Sequence, residues 1–302
     1  MTIKALRTPE TRFAHLPDFD FPVSYADDLP GYEGLRIAYV DAGPPDADRV
    51  FLCLHGEPSW SFLYRRMIPV FLETGARVIA PDLLGFGRSD KPVEQSDYSF
   101  EFHRNYLVAL VERLNLRRIT LVVQDWGGIL GLTLPVAPGF DARIERLIVM
   151  NTALAVGVSP GEGFQMWKNY ALSTPDLPIG ALIRRGTPHL TDAETAAYDA
   201  PYPDASYKAG AQVFPALVPV EPDMPGAAIS RAAAEFWSSR WSGPSFMAVG
   251  DADPVLGPAQ MESLRATIRG CPEPMTIRGG GHFVQEWGEP IARAAIAAFG
   301  GR

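Results

Sequence analysis

The chain has 302 residues, of which 27 are basic and 35 acidic, so its formal net charge is −8 at pH 7. An acidic chain without a basic tract is a poor nucleic-acid binder, because affinity for phosphate backbones comes from clustered Lys and Arg side chains. With 47% hydrophobic residues the chain can bury a large core, and it lacks the run of about 18 apolar residues that a membrane-spanning helix needs.

The two cysteines and the N-terminal residues indicate the cellular setting. Cys53 and Cys271 lie far apart and form no CxxC or Cys/His ligand pattern, so we expect reduced thiols and no metal site. Residues 1–12 carry charges with no apolar run behind them, which argues against a targeting segment. We therefore expect a cytoplasmic monomer that needs no cofactor and binds neither nucleic acid nor membranes.

Short apolar runs rich in β-branched residues recur along the chain, and each ends in a loop. These runs predict strands at Leu35–Val40, Val50–Leu54, Val78–Ala80, Ile119–Val123, Leu147–Met150 and Phe246–Val249. Continuous apolar runs are typical of strands buried on both faces of a mostly parallel sheet.

Helical patterns separate these strands. One apolar stripe repeats at four-residue spacing from Phe102 to Leu114, and another follows Pro290, which suits the first turn of a helix. The alternation predicts an α/β fold with a mostly parallel central sheet flanked by helices.

The strand pattern stops between residues 155 and 229. Helical spacing occurs here at Gly163–Leu172, and the run from Thr191 to Glu194 has the pattern of a capping box before another helix. We therefore predict a helical cap domain at 155–229, inserted into a main domain made of 1–154 and 230–302.

A carboxylate stands at a predicted strand-to-helix corner, in the motif QDWGG at 124–128. Such a corner lifts its central side chain, here Asp125, clear of the sheet, and the glycines after it let helix and strand approach closely. A carboxylate in this position can attack carbon directly and become an ester. The alternative is that Asp125 only caps the helix.

Two more ionisable residues follow predicted strand ends. Asp253 lies in the loop after Phe246–Val249, and His282 lies in a glycine-rich loop before the last helix. Ligands in open α/β folds bind at the carboxyl edge of the sheet, and the order nucleophile, acid, histidine is that of α/β-hydrolase triads. Asp125, Asp253 and His282 are therefore predicted to form a catalytic triad.

The loop His55–Pro58 follows the strand Val50–Leu54 directly. It can direct the backbone N–H of Glu57, together with that of Trp126, at one point beside Asp125 and so form an oxyanion hole. The alternative is an ordinary Gly-Pro turn.

These motifs resemble those of the haloalkane dehalogenases, α/β-hydrolases, in the subfamily with an Asp-His-Asp triad and a Trp-Trp halide clamp. The resemblance covers nearly the whole chain and implies an α/β-hydrolase fold. It implies that Asp125 is the nucleophile, that His282 is the base and that Asp253 orients it.

The same resemblance implies the remaining site residues. Glu57 and Trp126 would be the oxyanion-hole donors, and Trp126 and Trp167 would bind the halide. An indole N–H is a donor with no acceptor, so two of them in an apolar pocket stabilise a departing halide. The apolar substrate lining implied by the resemblance consists of Phe164, Phe214, Pro215, Val218 and Leu256.

The implied reaction is hydrolytic dehalogenation of a small haloalkane to an alcohol, a halide ion and a proton. Asp125 would displace the halide to form an alkyl ester, and water activated by His282 would hydrolyse that ester. At the reference histidine pKa of about 6.5, this second half should fail in acid.

Other functions remain open from the sequence. An epoxide hydrolase shares the scaffold but needs phenols from the cap, where Tyr170, Tyr198, Tyr202 and Tyr207 occur. A haloacid dehalogenase would need arginines beside the nucleophile, and a serine esterase would need Ser at the corner. A binding protein that had lost catalysis on this scaffold is a further alternative.

Overall fold

Strands and helices alternate through residues 3–301, which are the residues that this computed structural model describes. The strands are β1 (Ala5–Leu6), β2 (Val23–Ala26), β3 (Ile37–Ala42), β4 (Val50–Leu54), β5 (Arg77–Pro81), β6 (Lys91–Pro92), β7 (Ile119–Gln124), β8 (Ile144–Met150), β9 (Ser245–Gly250) and β10 (Met275–Ile277). The helices are α1 (Ile68–Leu72), α2 (Phe100–Arg113), α3 (Trp126–Gly131), α4 (Glu162–Ser173), α5 (Ile179–Gly186), α6 (Asp192–Asp199), α7 (Ala209–Leu217), α8 (Ala227–Glu235), α9 (Pro258–Thr267) and α10 (Gly288–Ala298).

Eight of these strands form the central sheet, in the order β10-β9-β8-β7-β4-β5-β3-β2. The pairs from β10 to β5 are parallel, whereas β3 is antiparallel to both β5 and β2. β4 and β7 are buried along their whole length, as their continuous apolar runs require. The predicted α/β fold with a mostly parallel sheet is confirmed.

The six predicted strands are present, with ends that differ by up to three residues. The sequence patterns missed the edge strands β2 and β10, whose side chains are largely half-buried. They also missed the two-residue pair β1 and β6. An edge strand faces solvent on one side, so it carries no continuous apolar run. No helix in the described range is long and apolar enough to cross a lipid bilayer.

Helices α4 to α8 lie between β8 and β9, which are parallel neighbours in the sheet. The connection therefore leaves from the carboxyl edge of β8 and stands over that edge. The capping box predicted at Thr191 is present: its hydroxyl accepts from the Glu194 N–H, and the Glu194 carboxylate accepts from the Thr191 N–H.

The expected end of the cap, residue 229, lies inside α8. This helix packs against the turn Leu134–Val136 of the main domain and runs into the segment that leads to β9. Because a domain boundary there would divide one helix, we propose that the cap ends before Ala227.

A buried ionic cluster attaches the cap to the main domain. The Arg65 guanidinium donates to Glu194 of α6 at 2.8 Å and to both oxygens of Glu286, at 2.6 and 2.7 Å. The Tyr198 hydroxyl donates to Glu286, and Arg66 bonds both carboxylates. Since Glu286 lies in the short helix just after the His282 loop, the cluster joins the cap to that loop's far end.

Candidate active site

Asp125 stands between the end of β7 and the start of α3, in a strained backbone conformation with φ +47° and ψ −126°. Such strain is typical of a residue that a tight corner presents to a site. Its side chain makes no capping hydrogen bond to α3, so the helix-cap alternative is not supported. A Cβ on Gly127 would lie 1.9 Å from the carbonyl oxygen of Leu54, which explains why glycine follows the corner.

The two carboxylate oxygens of Asp125 have different neighbours. The backbone N–H of Glu57 donates to Oδ2 at 2.8 Å, as expected for one arm of an oxyanion hole. Oδ1 lies 3.5 Å from Nε2 of His282, so the carboxylate and the imidazole are in direct contact. The Trp126 N–H, in the first turn of α3, makes no hydrogen bond to this carboxylate among the described residues.

His282 and Asp253 are directly bonded, with Nδ1 2.8 Å from Oδ2. The Asp253 carboxylate also accepts from the backbone N–H groups of Val255 and Leu256, at 2.9 and 3.1 Å. Burial raises the pKa of Asp253, but His282 and these donors outweigh burial and hold the pKa at about 2. The acid is therefore ionised throughout the neutral range.

Asn151 is a positioning residue whose part in the site the sequence did not reveal. Its amide Nδ2 donates to Asp253 Oδ2 at 2.9 Å, and its Oδ1 accepts from the Gly250 N–H at 2.9 Å. Asn151 directly follows β8, and Asp253 lies in the loop after β9, which is the neighbouring strand. This placement is the signal that points to the role of Asn151.

His282 lies between two carboxylates, and its protonation follows from them. Burial lowers the histidine pKa, but Asp253 and Asp125 outweigh burial and raise the pKa well above its usual value. The two carboxylates therefore favour the protonated imidazole in the resting protein, and the reference pKa does not apply to it.

Glu57 brings a second carboxyl group next to the nucleophile. Burial and the neighbouring Asp125 carboxylate raise the pKa of Glu57 well above its usual value, although His282 and a hydrogen bond from Trp167 act against this rise. Its Oε1 is buried and has no hydrogen-bond partner within residues 3–301. The neutral, protonated form of the Glu57 carboxyl is therefore favoured in this buried place beside Asp125.

A cavity of about 810 Å³ lies between the sheet edge and the cap, and the triad lines it. Trp126, at the start of α3, and Trp167, on α4, both line the cavity. Four of the five apolar residues expected to contact substrate also line it: Phe164, Pro215, Val218 and Leu256.

Phe214 is the exception and does not line the cavity. It is fully buried behind Trp126, with the ring centroids 4.7 Å apart in an edge-on arrangement. The reason is its position on α7, one residue before Pro215, where the side chain turns toward Phe86 and His103 of the main domain. Phe214 therefore supports the Trp126 indole instead of contacting substrate.

The phenols that an epoxide hydrolase would need do not converge on Asp125. Of the four candidate tyrosines in the cap, Tyr170 lines the cavity, on its exposed side. The hydroxyls of Tyr198 and Tyr202 are bonded elsewhere, to Glu286 and to the carbonyl of Pro58. Tyr207 does not line the cavity.

Comparisons with known proteins show the family and the fold. A sequence profile for the alpha/beta hydrolase fold matches residues 49–289. The chain is 46% identical to the haloalkane dehalogenase of Psychrobacter cryohalolentis over 303 residues, covering 97% of each chain. It is 43% identical to the Mycobacterium marinum haloalkane dehalogenase, over 93% of this chain and 94% of the relative. Among solved structures, the tetrameric haloalkane dehalogenase DpaA of Paraglaciecola agarilytica NO2 is similar, with a TM-score of 0.95, 51% identity and 98% of each chain covered.

Proposed function

The chain belongs to the haloalkane dehalogenases, a family of α/β-hydrolases, and from this membership we propose how its own residues perform the reaction. It hydrolyses the carbon–halogen bond of a haloalkane, with water, to an alcohol, a halide ion and a proton. The observation that carries the residue assignment is the contact geometry of Asp125, between the Glu57 N–H and the His282 imidazole.

In the first step, Oδ1 of Asp125 attacks the halogen-bearing carbon, and the halide leaves with the bonding electrons. Charge grows on the halide during this step, so donors aimed at it bind the transition state better than the neutral substrate. The indole N–H groups of Trp126 and Trp167 are these donors. The neutral carboxylic acid of Glu57 suits this site, because a carboxylate there would repel the halide.

In the second step, His282 takes a proton from water, which attacks the carbonyl carbon of the Asp125 ester. The oxyanion forms on Oδ2, which the backbone N–H of Glu57 already contacts at 2.8 Å. The backbone N–H of Trp126 is the second donor. The ester then breaks at its acyl–oxygen bond, and the departing alkoxide takes the proton from His282 and leaves as the alcohol. The Asp125 carboxyl, which now carries the oxygen of the attacking water, loses the remaining proton to solvent and is a carboxylate again.

Only the second step needs a particular protonation state of His282, the neutral one, and esterification favours that state. Alkylation removes the negative charge of Asp125, which is one of the two charges that raise the histidine pKa. The pKa of His282 therefore falls when the ester forms. The imidazole becomes able to accept a proton at the stage that requires a base.

Substitution of the base tests this proposal. His282→Gln should alkylate but not turn over, so intact-mass analysis after exposure to bromohexane should show one added hexyl group on Asp125. The double variant with Asp125→Asn should show none. Bromide release at the normal rate from His282→Gln, without an adduct, would contradict the assignment. An epoxide of equal chain length is the negative control for the alternative reaction.

We also propose that the protein is a cytoplasmic monomer with the triad in its main domain and the halide donor Trp167 in its cap. Both cysteines are unpaired, which suits a reducing compartment. Light scattering should give the mass of a single chain, 32.9 kDa. A tetramer of the kind described for DpaA would contradict the monomer.

A further inference from the structure

Arg185 is the one lysine or arginine that lines the active-site cavity in the described part of the chain. It lies in the last turn of α5, on the cap, and its side chain is exposed. The next residue, Gly186, packs against the histidine loop: a Cβ on Gly281 would lie 2.3 Å from the Gly186 carbonyl oxygen. Backbone packing therefore fixes the helix end that carries Arg185 against the catalytic loop.

Arg185 has no carboxylate partner within residues 3–301. Its neighbour Arg184 faces away from the cavity and pairs with Asp192. The acidic residues that line the cavity are Glu57, Asp125 and Asp253. All three are buried, and none is paired with Arg185, so its guanidinium is available to an anion at the cavity mouth.

The walls between the buried carboxylates and this mouth are apolar. Phe164 and Val218 are buried in the wall, and Leu182 is half-buried one turn before Arg185 on α5. A ligand that fits this arrangement has a reactive carbon at one end, a hydrocarbon chain in the middle and an anionic group at the other end. A planar guanidinium with a free fork of N–H donors recognises a carboxylate in two-point contact.

We propose that Arg185 is a carboxylate-binding subsite and that ω-haloalkanoates, in addition to neutral haloalkanes, are substrates. This inference rests on the proposed function. The carboxylate must be separated from the halogen by several methylenes, because a 2-haloacid would place its charge beside ionised Asp125. Atoms balance as for a neutral substrate: the Asp125 oxygen bonds carbon, halide leaves, and water then yields an ω-hydroxyalkanoate and one proton.

The test compares ω-bromohexanoate with bromohexane in the wild type, in Arg185→Gln and in the matched control Arg184→Gln. Loss of one partly exposed arginine–carboxylate contact should raise the KM for ω-bromohexanoate about fivefold, with kcat unchanged. The KM for bromohexane should stay within about twofold in all three proteins, since no charge is involved. Added sodium sulfate, which screens charge without supplying a halide, should raise the KM of the wild type for ω-bromohexanoate toward that of Arg185→Gln.

A binding measurement separates failure of this subsite from failure of the proposed reaction. Hexanoate carries no halogen and should bind the wild type and Arg184→Gln, by calorimetry, about fivefold more tightly than it binds Arg185→Gln. Equal hexanoate affinity in all three proteins, or equal KM changes in the two single variants, would overturn the subsite. No turnover of bromohexane by the wild type would overturn the proposed function and leave the hexanoate result to decide on the subsite.

Discussion

At the scale of single residues, Asp125 and His282 are assigned to the reaction, whereas Asp253 and Asn151 position the imidazole by hydrogen bonds. Asp125 and His282 stand in short motifs whose residue types the chemistry requires. Asn151 could not be assigned in this way, because its role depends on which strand lies beside β8. The burial of the Glu57 carboxyl depends likewise on the folded pocket, although its backbone N–H follows from the loop.

The pH dependence of the two chemical steps should differ. Alkylation needs no base, so the rate of the halide burst should not follow the titration of His282. Hydrolysis needs neutral His282, and below the pKa that the imidazole has in the ester its rate should fall about tenfold per pH unit. Rapid-quench measurement of the burst and of the later steady rate separates the two steps.

Asp253→Asn tests the direction in which this pH dependence shifts. Asp253 raises the His282 pKa, so its neutralisation should move the acid limb of hydrolysis to lower pH while it slows the step. An acid limb that moves to higher pH, or does not move, would contradict the assignment of His282 as the titrating base.

At the scale of elements, patterns local in sequence predict a helix well when it begins with a capping box, and they predict edge strands poorly. The pattern from Thr191 to Glu194 predicts its helix because both partners of the capping box are local in sequence. By contrast, β10 has three residues and depends on its pairing with β9, which is distant in sequence. Phe214 illustrates the same limit for a side chain, because its direction depends on packing against α2 and α3.

Thr191→Ala should measure how much that capping box contributes. The change removes the acceptor for the Glu194 N–H and should cost about 1 kcal/mol of stability, lowering the melting temperature by about 2 °C. Thr195→Ala is the matched control, because its exposed hydroxyl only donates back to the Thr191 carbonyl. Equal losses of stability in the two variants would show that the capping box contributes nothing.

At the scale of the whole molecule, the sheet edge supplies the triad and the cap supplies Trp167 and Arg185. The order of the strands could be expected only in part from the sequence, since register and neighbours depend on long-range pairing. No pattern in the sequence predicts the ionic cluster around Arg65. Its members come from three distant parts of the chain and carry no motif.

Arg65→Met should reveal what this cluster does. Glu286 is fully buried, so loss of Arg65 removes its buried cationic partner and leaves the carboxylate to the partly exposed Arg66 and to the Tyr198 hydroxyl, at a cost of about 3 kcal/mol. Calorimetry should show a large drop in the melting temperature. Arg293→Met removes an exposed arginine from Glu73 and Glu289 and should leave the melting temperature unchanged. Equal effects of the two changes would contradict a structural role for the cluster.

The contact between Gly186 and Gly281 leaves no room for a larger residue at position 281, since a Cβ there would lie 2.3 Å from the Gly186 carbonyl oxygen. Any side chain at this position would push apart the end of α5 and the loop that holds His282. Glycine at 281 is therefore a condition for the geometry of the base.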